Sequence, residues 1–172
     1  MKKLINSLFI ASFALILFSC GKDYDSDPEF DKSLIRNNLQ GEFTAQVNGE
    51  PFEAVIKEFF DESVEGIRML SISGIEFSED KDPNKQKMIT FTIPYYEGPK
   101  TYMPDSYFTG LYMDQDSILT KNYVTSLAND TLSHITVLQD GDRYEGSFYL
   151  MVIEETTKDI LHLSAGHFNI PK

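Results

Sequence analysis

From Gly41 onward the chain alternates apolar and polar residues in short runs, the period of half-buried strands. Phe43, Ala45 and Val47 alternate with Thr44, Gln46 and Asn48. Asn48-Gly49 is a two-residue hairpin signal, because a type I′ turn needs positive φ at both central positions. Phe52, Ala54 and Ile56 continue the alternation on the return strand, with Pro51 at its start, where a missing amide is tolerated. Ile67–Ile75 reads as a third strand, Ser78–Lys87 as a charged loop around Pro83-Asn84, and Met88–Tyr96 as a strand with Ile89, Phe91 and Ile93 on one face. Gly98-Pro99 interrupts it and Thr101-Tyr102 opens the next extended piece. Tyr107–Met113 and Tyr123–Leu127 are predicted as strands, with a turn at Asp114, Asp116 and Ser117 between them. Ser133–Gln139, a turn at Asp140-Gly141, Arg143–Ile153, a turn at 156–159 and Ile160–Ile170 complete the pattern. Arg143–Ile153 carries Phe148, Leu150 and Val152 on one face and Tyr149, Met151 and Ile153 on the other, which predicts a central position in its sheet.

No stretch of a dozen residues carries a helical apolar period. Nine or ten short strands separated by turn signals predict an all-β fold: a single antiparallel β-sandwich or partly closed barrel over residues 41–172. Gly146 and Gly166 each precede an aromatic residue within a strand, where glycine permits a bulge or a close backbone approach. They read as determinants of the fold.

The first forty residues follow another logic. Leu8–Phe18 contains only Leu, Phe, Ile, Ala and Ser, too short a run to span a bilayer of roughly 30 Å as a helix. It follows Lys2 and Lys3 and ends in Leu17-Phe18-Ser19-Cys20, which resembles a bacterial lipoprotein signal with its lipobox. That resemblance implies cleavage of residues 1–19, a diacylglyceryl group on the Cys20 thiol and acylation, typically with palmitate, of the new N-terminus. Stable anchoring takes two acyl chains, so such a tail would hold the protein on a membrane unaided. Cys20 is the sole cysteine; acylated, it is no nucleophile, metal ligand or disulfide partner. Gly21–Asp31 is acidic and poor in aliphatic residues, which predicts a flexible tether within 20–40, ending in a short helical turn over Lys32–Gln40. Lys22-Asp23 followed by Asp25 and Asp27 resembles the acidic export signal behind the cysteine of Bacteroidota surface lipoproteins, which implies the outer face of the outer membrane.

Removing residues 1–19 takes away Lys2 and Lys3 and no acid, leaving 13 basic against 27 acidic residues and a formal net charge of −14. Such a surface repels phosphate backbones, which argues against nucleic acid as a partner, and anionic headgroups likewise.

Candidate chemistry is sparse. His134 and His162 fall in predicted strands and become neighbours if those strands pair, yet no HxH or HExxH spacing accompanies them or His167, so no metal site is expected. Ser147 follows Gly146 without the GxSxG elbow of serine hydrolases. Asp114 with Asp116, and Asp140-Gly141-Asp142, are fragments of calcium loops without the full ligand pattern. No catalytic residue and no cofactor is expected. The remaining feature is a mid-chain concentration of aromatics. Tyr102, Tyr107 and Tyr112, if exposed together, would form a ligand or partner patch; core packing is the plainer reading.

Across the body, Phe43-Thr44-Ala45-Gln46-Val47-Asn48-Gly49-Glu50-Pro51-Phe52 resembles the FxAxVNGxxF opening of small uncharacterised Bacteroidota lipoproteins. Gly98 with Thr101-Tyr102, Gly146 with Phe148, and Gly166-His167-Phe168 resemble their later GxxTY, xGxF and GxFxV segments, with Pro99 and the spacing before Thr101 as departures. The resemblance implies a lipid-anchored domain and carries over no catalytic or binding residue. The expectation is a non-enzymatic envelope protein, lipid-anchored in the outer membrane and facing the exterior, that binds an envelope protein or glycan. The alternative is a lipocalin-like barrel carrying a small apolar ligand, which requires an interior void.

Overall fold

The computed structural model describes residues 40–64, 66–78, 84–104, 108–116, 119–125 and 132–172. The chain divides into two units, Met1–Lys32 and Ser33–Lys172, and every described residue belongs to the second. Cys20, the signal segment, the tether and the helical turn expected over Lys32–Gln40, apart from Gln40 itself, lie outside the described residues.

Among the described residues, eleven strands form one antiparallel sheet curled into a half-barrel: β1 (Glu42–Val47), β2 (Glu50–Glu53), β3 (Ile56–Val64), β4 (Ile67–Phe77), β5 (Lys85–Ile93), β6 (Thr101–Tyr102), β7 (Thr109–Asp116), β8 (Leu119–Thr125), β9 (His134–Gln139), β10 (Arg143–Glu154) and β11 (Ile160–Pro171). Their order across the sheet is β2-β1-β11-β10-β8-β7-β5-β4-β3, with β9 beside the first half of β10 and β6 beside β9. The all-β antiparallel expectation holds, with a single curled sheet rather than two stacked ones.

The curl has a local cause. The two outermost strands, β2 and β3, are consecutive in sequence and joined by Ala54-Val55. Ala54 N–H donates to Phe43 O of β1 (2.9 Å), whereas Val55 N–H donates to Ile75 O of β4 (2.8 Å). The backbone changes partners within two residues, which pulls the far edges of the sheet together.

Asn48 (φ 50°) and Gly49 (φ 90°) make the left-handed pair the hairpin signal requires. Strand β10 is central as expected, hydrogen-bonded to β11 on one side and to β9 and β8 on the other. Three details differ from the sequence reading. Ile56, expected on the return strand with Phe52 and Ala54, instead opens a separate strand, Ile56–Val64, whose other residues the alternation did not mark. The expected loop ends early, with Lys85–Lys87 already in β5. The turn expected at Asp114–Asp116 is instead the end of β7.

Phe43, Phe91, Phe148 and Phe168 occupy the middle of the curl. Phe91 lies 5.4 Å from both Phe148 and Phe168, centroid to centroid, and Phe43 lies 5.4 Å from Phe148. Glycines make room for them. Gly146 stands opposite Phe168, and Gly166 opposite Phe148, in the β10–β11 ladder. A Cβ on Gly166 would sit 2.5 Å from the Phe148 ring, and one on Gly146 would sit 2.4 Å from the Phe168 ring and 2.1 Å from Thr136 O.

Candidate functional site

The most concentrated chemistry gathers at one end of the curl. Arg68 on β4 forks onto Asp61 on β3, Nε donating to Oδ1 (2.8 Å) and Nη2 to Oδ2 (2.7 Å). The Tyr144 hydroxyl, from β10, donates to the same carboxylate. Lys172 lies 3.9 Å from Asp61 Oδ2, stands over the Tyr144 ring at 4.2 Å and donates to Asp140 O at 2.6 Å. The Asp140 carboxylate accepts from the Tyr96 hydroxyl (3.1 Å) and sits 3.6 Å from Arg68 Nη1, while the guanidinium covers the Tyr96 ring at 4.7 Å. The Arg68 bonds hold the Asp61 carboxyl down at about 2, and the same bonds raise the guanidinium. Burial, then the neighbouring carboxylates, pushes the Tyr96 and Tyr144 hydroxyls up. Each charge in this network faces an opposite one. The cluster therefore joins β3, β4, the loop after β5, the β9–β10 turn and the C-terminus, and it offers no unpartnered acid or base for catalysis.

Tyr102 and Tyr112 do not form the exposed patch considered above. Tyr102 is 1% exposed. Its hydroxyl donates to Gly98 O (2.7 Å) and accepts from Glu97 N–H (3.0 Å), and its ring stacks on Tyr96 at 5.8 Å. Tyr112 is 3% exposed, packed against Tyr123 at 5.7 Å. Tyr107 lies outside the described residues. Alternation placed these rings on strands without saying which face was inward, and the inward face won both.

The histidines also separate. β9 and β11 flank β10 instead of pairing, so Tyr149 stands between His134 and His162, 6.2 Å from the first ring and 6.1 Å from the second. The Tyr149 hydroxyl is hydrogen-bonded to His162 Nδ1 (2.7 Å), and His134 Nδ1 to Leu132 O (2.9 Å). Among the described residues no group of three or more His, Cys, Asp or Glu side chains converges to hold a metal ion. Asp114 faces Lys87 and Lys121 across its neighbouring strands, and Asp116 faces Lys85, an arrangement suited to ion pairing and not to a calcium ligand set.

Those lysine–carboxylate neighbours belong to a ladder on the inner side of the sheet, Glu76–Lys87–Asp114–Lys121, one residue from each of β4, β5, β7 and β8 in alternating sign. Opposite charges facing across strands stabilise a sheet, and this ladder explains why β7 runs on through Asp114.

The outer side of the same four strands is the reverse. Its positions are Ser71, Ser73, Ile75 and Phe77 on β4; Gln86, Met88, Thr90 and Thr92 on β5; Thr109, Leu111, Met113 and Gln115 on β7; and Thr120, Asn122 and Val124 on β8. None of these fifteen carries a charge. At the chain's own 24% charged residues, three or four would be expected, and more on a surface, where charge concentrates. Many of its polar groups are spent on one another: Ser71 with Thr92 and Ser73 with Thr90 at 3.0 Å, and Gln86 with Gln115 at 3.2 Å. Among the described residues every strand belongs to the one sheet, so no second layer crosses this face. At its β8 margin, Thr120, Asn122 and Val124 line a groove of about 350 Å3 against Glu154, Glu155 and Thr156. The Glu154 carboxylate is fixed there by the Thr157 N–H, which lowers its pKa.

Such a face can be desolvated at little cost, since covering it strands no charge and few unpaired polar atoms. Charge depletion with Met and aromatic residues is also the composition of interface cores. Comparison with protein-family models, curated proteins and solved structures gives no match for this chain.

Proposed function

We propose that this chain is a non-enzymatic, lipid-anchored envelope protein whose domain docks a protein partner through the uncharged outer face of β4, β5, β7 and β8. The observation that carries the docking role is the absence of charge at all fifteen outer positions in a chain of net charge −12. The anchor rests on Leu17-Phe18-Ser19-Cys20 behind its apolar run, and the exterior placement on the acidic residues that follow. Anchor and tether would hold the domain within tens of ångströms of the bilayer, with the neutral face presented for docking. A glycan partner would need free hydrogen-bonding groups, and much of the polar complement of this face is already paired. No observation favours an apolar carrier, because phenylalanine rings fill the centre of the curl.

Two measurements test this reading. Metabolic labelling with radioactive palmitate should mark the wild type and not Cys20→Ser, which should also leave the membrane fraction; label retained in Cys20→Ser refutes the anchor. A photoreactive side chain at Met88 should give adducts on intact cells that disappear in a Met113→Lys background, and adducts indifferent to Met113→Lys refute the docking face.

A further inference from the structure

We propose a second site, on the outer face of β9, β10 and β11, that binds a neutral saccharide through the His134–Tyr149–His162 row. It lies on other strands than the docking face and does not rest on that reading. A strained bulge builds it. Opposite Tyr149 the β10–β11 register shifts from Phe148↔Gly166 to Leu150↔Leu163, so Ser164 and Ala165 together face one residue. Ala165 takes φ 48°, the left-handed region that a residue with a Cβ avoids. The extra residue changes the parity of β11: Phe168 is buried on one side of it and Leu163 on the other. In an unbroken strand His162 would point inward; the bulge turns it outward, beside Tyr149. Strain of this kind gathers at functional sites.

The rings are held in place with their binding atoms open. The Tyr149 hydroxyl is bonded to His162 Nδ1 at 2.7 Å while the ring centroids stand 6.1 Å apart. The imidazole therefore lies past the phenol's tip, and the phenol lies along the sheet toward β11. The His134 ring, within 19° of parallel at 6.2 Å, is well beyond the about 3.5–4.0 Å of carbon atoms in contact, so it does not close on the phenol's face. Asn48 clamps the His162 backbone, its Oδ1 accepting from His162 N–H (2.8 Å) and its own N–H donating to His162 O (2.9 Å). Leu132 O only accepts, so His134 Nδ1 carries the proton and Nε2 of the neutral ring is an acceptor. Among the described residues neither Nε2 has a partner, nor do the Ser147 and Ser164 hydroxyls.

The surroundings select the ligand class. The outer neighbours Thr136, Ser147, Met151 and Ser164 carry no charge. An anion is repelled by a chain of net charge −12. A cation finds no carboxylate in the row, and no metal-holding group exists among the described residues. Rings with apolar faces and polar tips, beside open hydroxyls and an imidazole acceptor, suit a neutral molecule with apolar faces and many hydroxyls, which is a saccharide.

The test is calorimetric titration of the full chain, purified from its own cells into phosphatidylcholine vesicles, with xylohexaose, cellohexaose, mannohexaose and maltohexaose. At least one should bind saturably. Tyr149→Ala and His134→Ala, each shown to be folded by far-UV circular dichroism, should weaken that binding about tenfold. Tyr149→Phe, which keeps the ring, should weaken it less, and Tyr95→Ala, at an exposed tyrosine outside the row, should leave it unchanged. If Tyr149→Ala does not fold, His134→Ala and Tyr149→Phe carry the test. Binding of none of the four sugars, or binding indifferent to the row, overturns the proposal. So does zinc chloride binding that His134→Ala abolishes while no sugar binds. Adducts at Met88 should persist in Tyr149→Ala; their loss would overturn the separation of the two sites.

Discussion

Gly146→Ala should be among the most damaging single-methyl additions in the domain. The glycine is held from both sides, opposite Val137 on β9 and opposite Phe168 on β11. The added Cβ would lie 2.1 Å from Thr136 O and 2.4 Å from Phe168 Cζ, both inside any tolerable contact. Phe168 cannot swing away, since it is fully buried with its ring against Phe91. Thr136 O is backbone in the β9 ladder and moves only if β9 peels from β10. Overpacking ordinarily costs about 1–3 kcal/mol, and with a backbone atom as one of the two obstacles the upper end applies. A loss of about 3 kcal/mol lowers the folded-to-unfolded ratio roughly a hundredfold. At a urea slope of about 2 kcal/mol/M, it moves the midpoint down by about 1.5 M. The chain has no tryptophan and nine tyrosines, so the assay is urea unfolding followed by tyrosine fluorescence and far-UV circular dichroism. Gly141→Ala is the control: nothing lies within 4 Å of its Cβ position, and a shift within about 0.5 kcal/mol is expected. If the two midpoints agree within about 0.3 M, the account of why glycine occupies the β10–β11 ladder is wrong.

Other outcomes follow from the polar contacts. The folded Asp61 carboxyl sits at about 2 against an ordinary 3.8. Its contribution is therefore complete above about pH 4 and is lost as pH falls toward 2. A shift of that size corresponds to about 2 kcal/mol, reduced toward about 1 by solvent screening. Asp61→Asn should therefore lower stability at pH 7 and flatten its dependence between pH 4 and 2; an unchanged slope there refutes the assignment. Tyr102→Phe removes the hydroxyl that bridges Glu97 N–H and Gly98 O, and should cost about 1–2 kcal/mol in urea unfolding while leaving Met88 crosslinking intact. Tyr149→Phe breaks a hydrogen bond on a solvated face and should change stability by less than about 1 kcal/mol; a larger loss would mean that the row from His134 to His162 bears on the fold.

Elements whose cues are local were legible in the sequence. Asn48-Gly49 specifies its own backbone, and Phe148, Leu150 and Val152 against Tyr149, Met151 and Ile153 mark a strand with neighbours on both sides. Strand β3 escaped because neither of its faces is apolar: Lys57, Phe59 and Asp61 share one, Ile56, Glu58, Phe60 and Glu62 the other. It is a strand because β4 pairs with it along its whole length and because Ala54-Val55 hands the backbone from one partner to the other. The Asp61–Arg68–Tyr144–Asp140–Lys172 network escaped for a related reason. Its members lie up to 111 positions apart, and no local pattern marks them. For Tyr102 and Tyr112, a polar tip made a surface position plausible. For Tyr102 in particular, backbone groups four and five residues earlier satisfied the hydroxyl inside the fold.

The neutral face shows what alternation alone conceals. Read singly, Lys85–Ile93 and Thr109–Asp116 each mix charged, hydroxyl and apolar residues, and each looks like an ordinary half-solvated strand. Only the register sorts them. It sends Lys87, Asp114, Lys121 and Glu76 to one side and leaves Met88, Met113, Asn122 and Ile75 on the other. A slip of one residue exchanges the two sides: sliding β7 one way sets Asp114 opposite Met88, and sliding it the other way sets Met113 opposite Lys87. The ladder thus fixes the register that keeps the outer face neutral. A charge-reversing change on the inner side, such as Asp114→Lys, would set three lysines side by side across β5, β7 and β8 and disfavour that alignment. It should therefore weaken association at Met88 and Met113 without touching either residue. Undiminished crosslinking in a folded Asp114→Lys variant would show that the two sides of the sheet are independent.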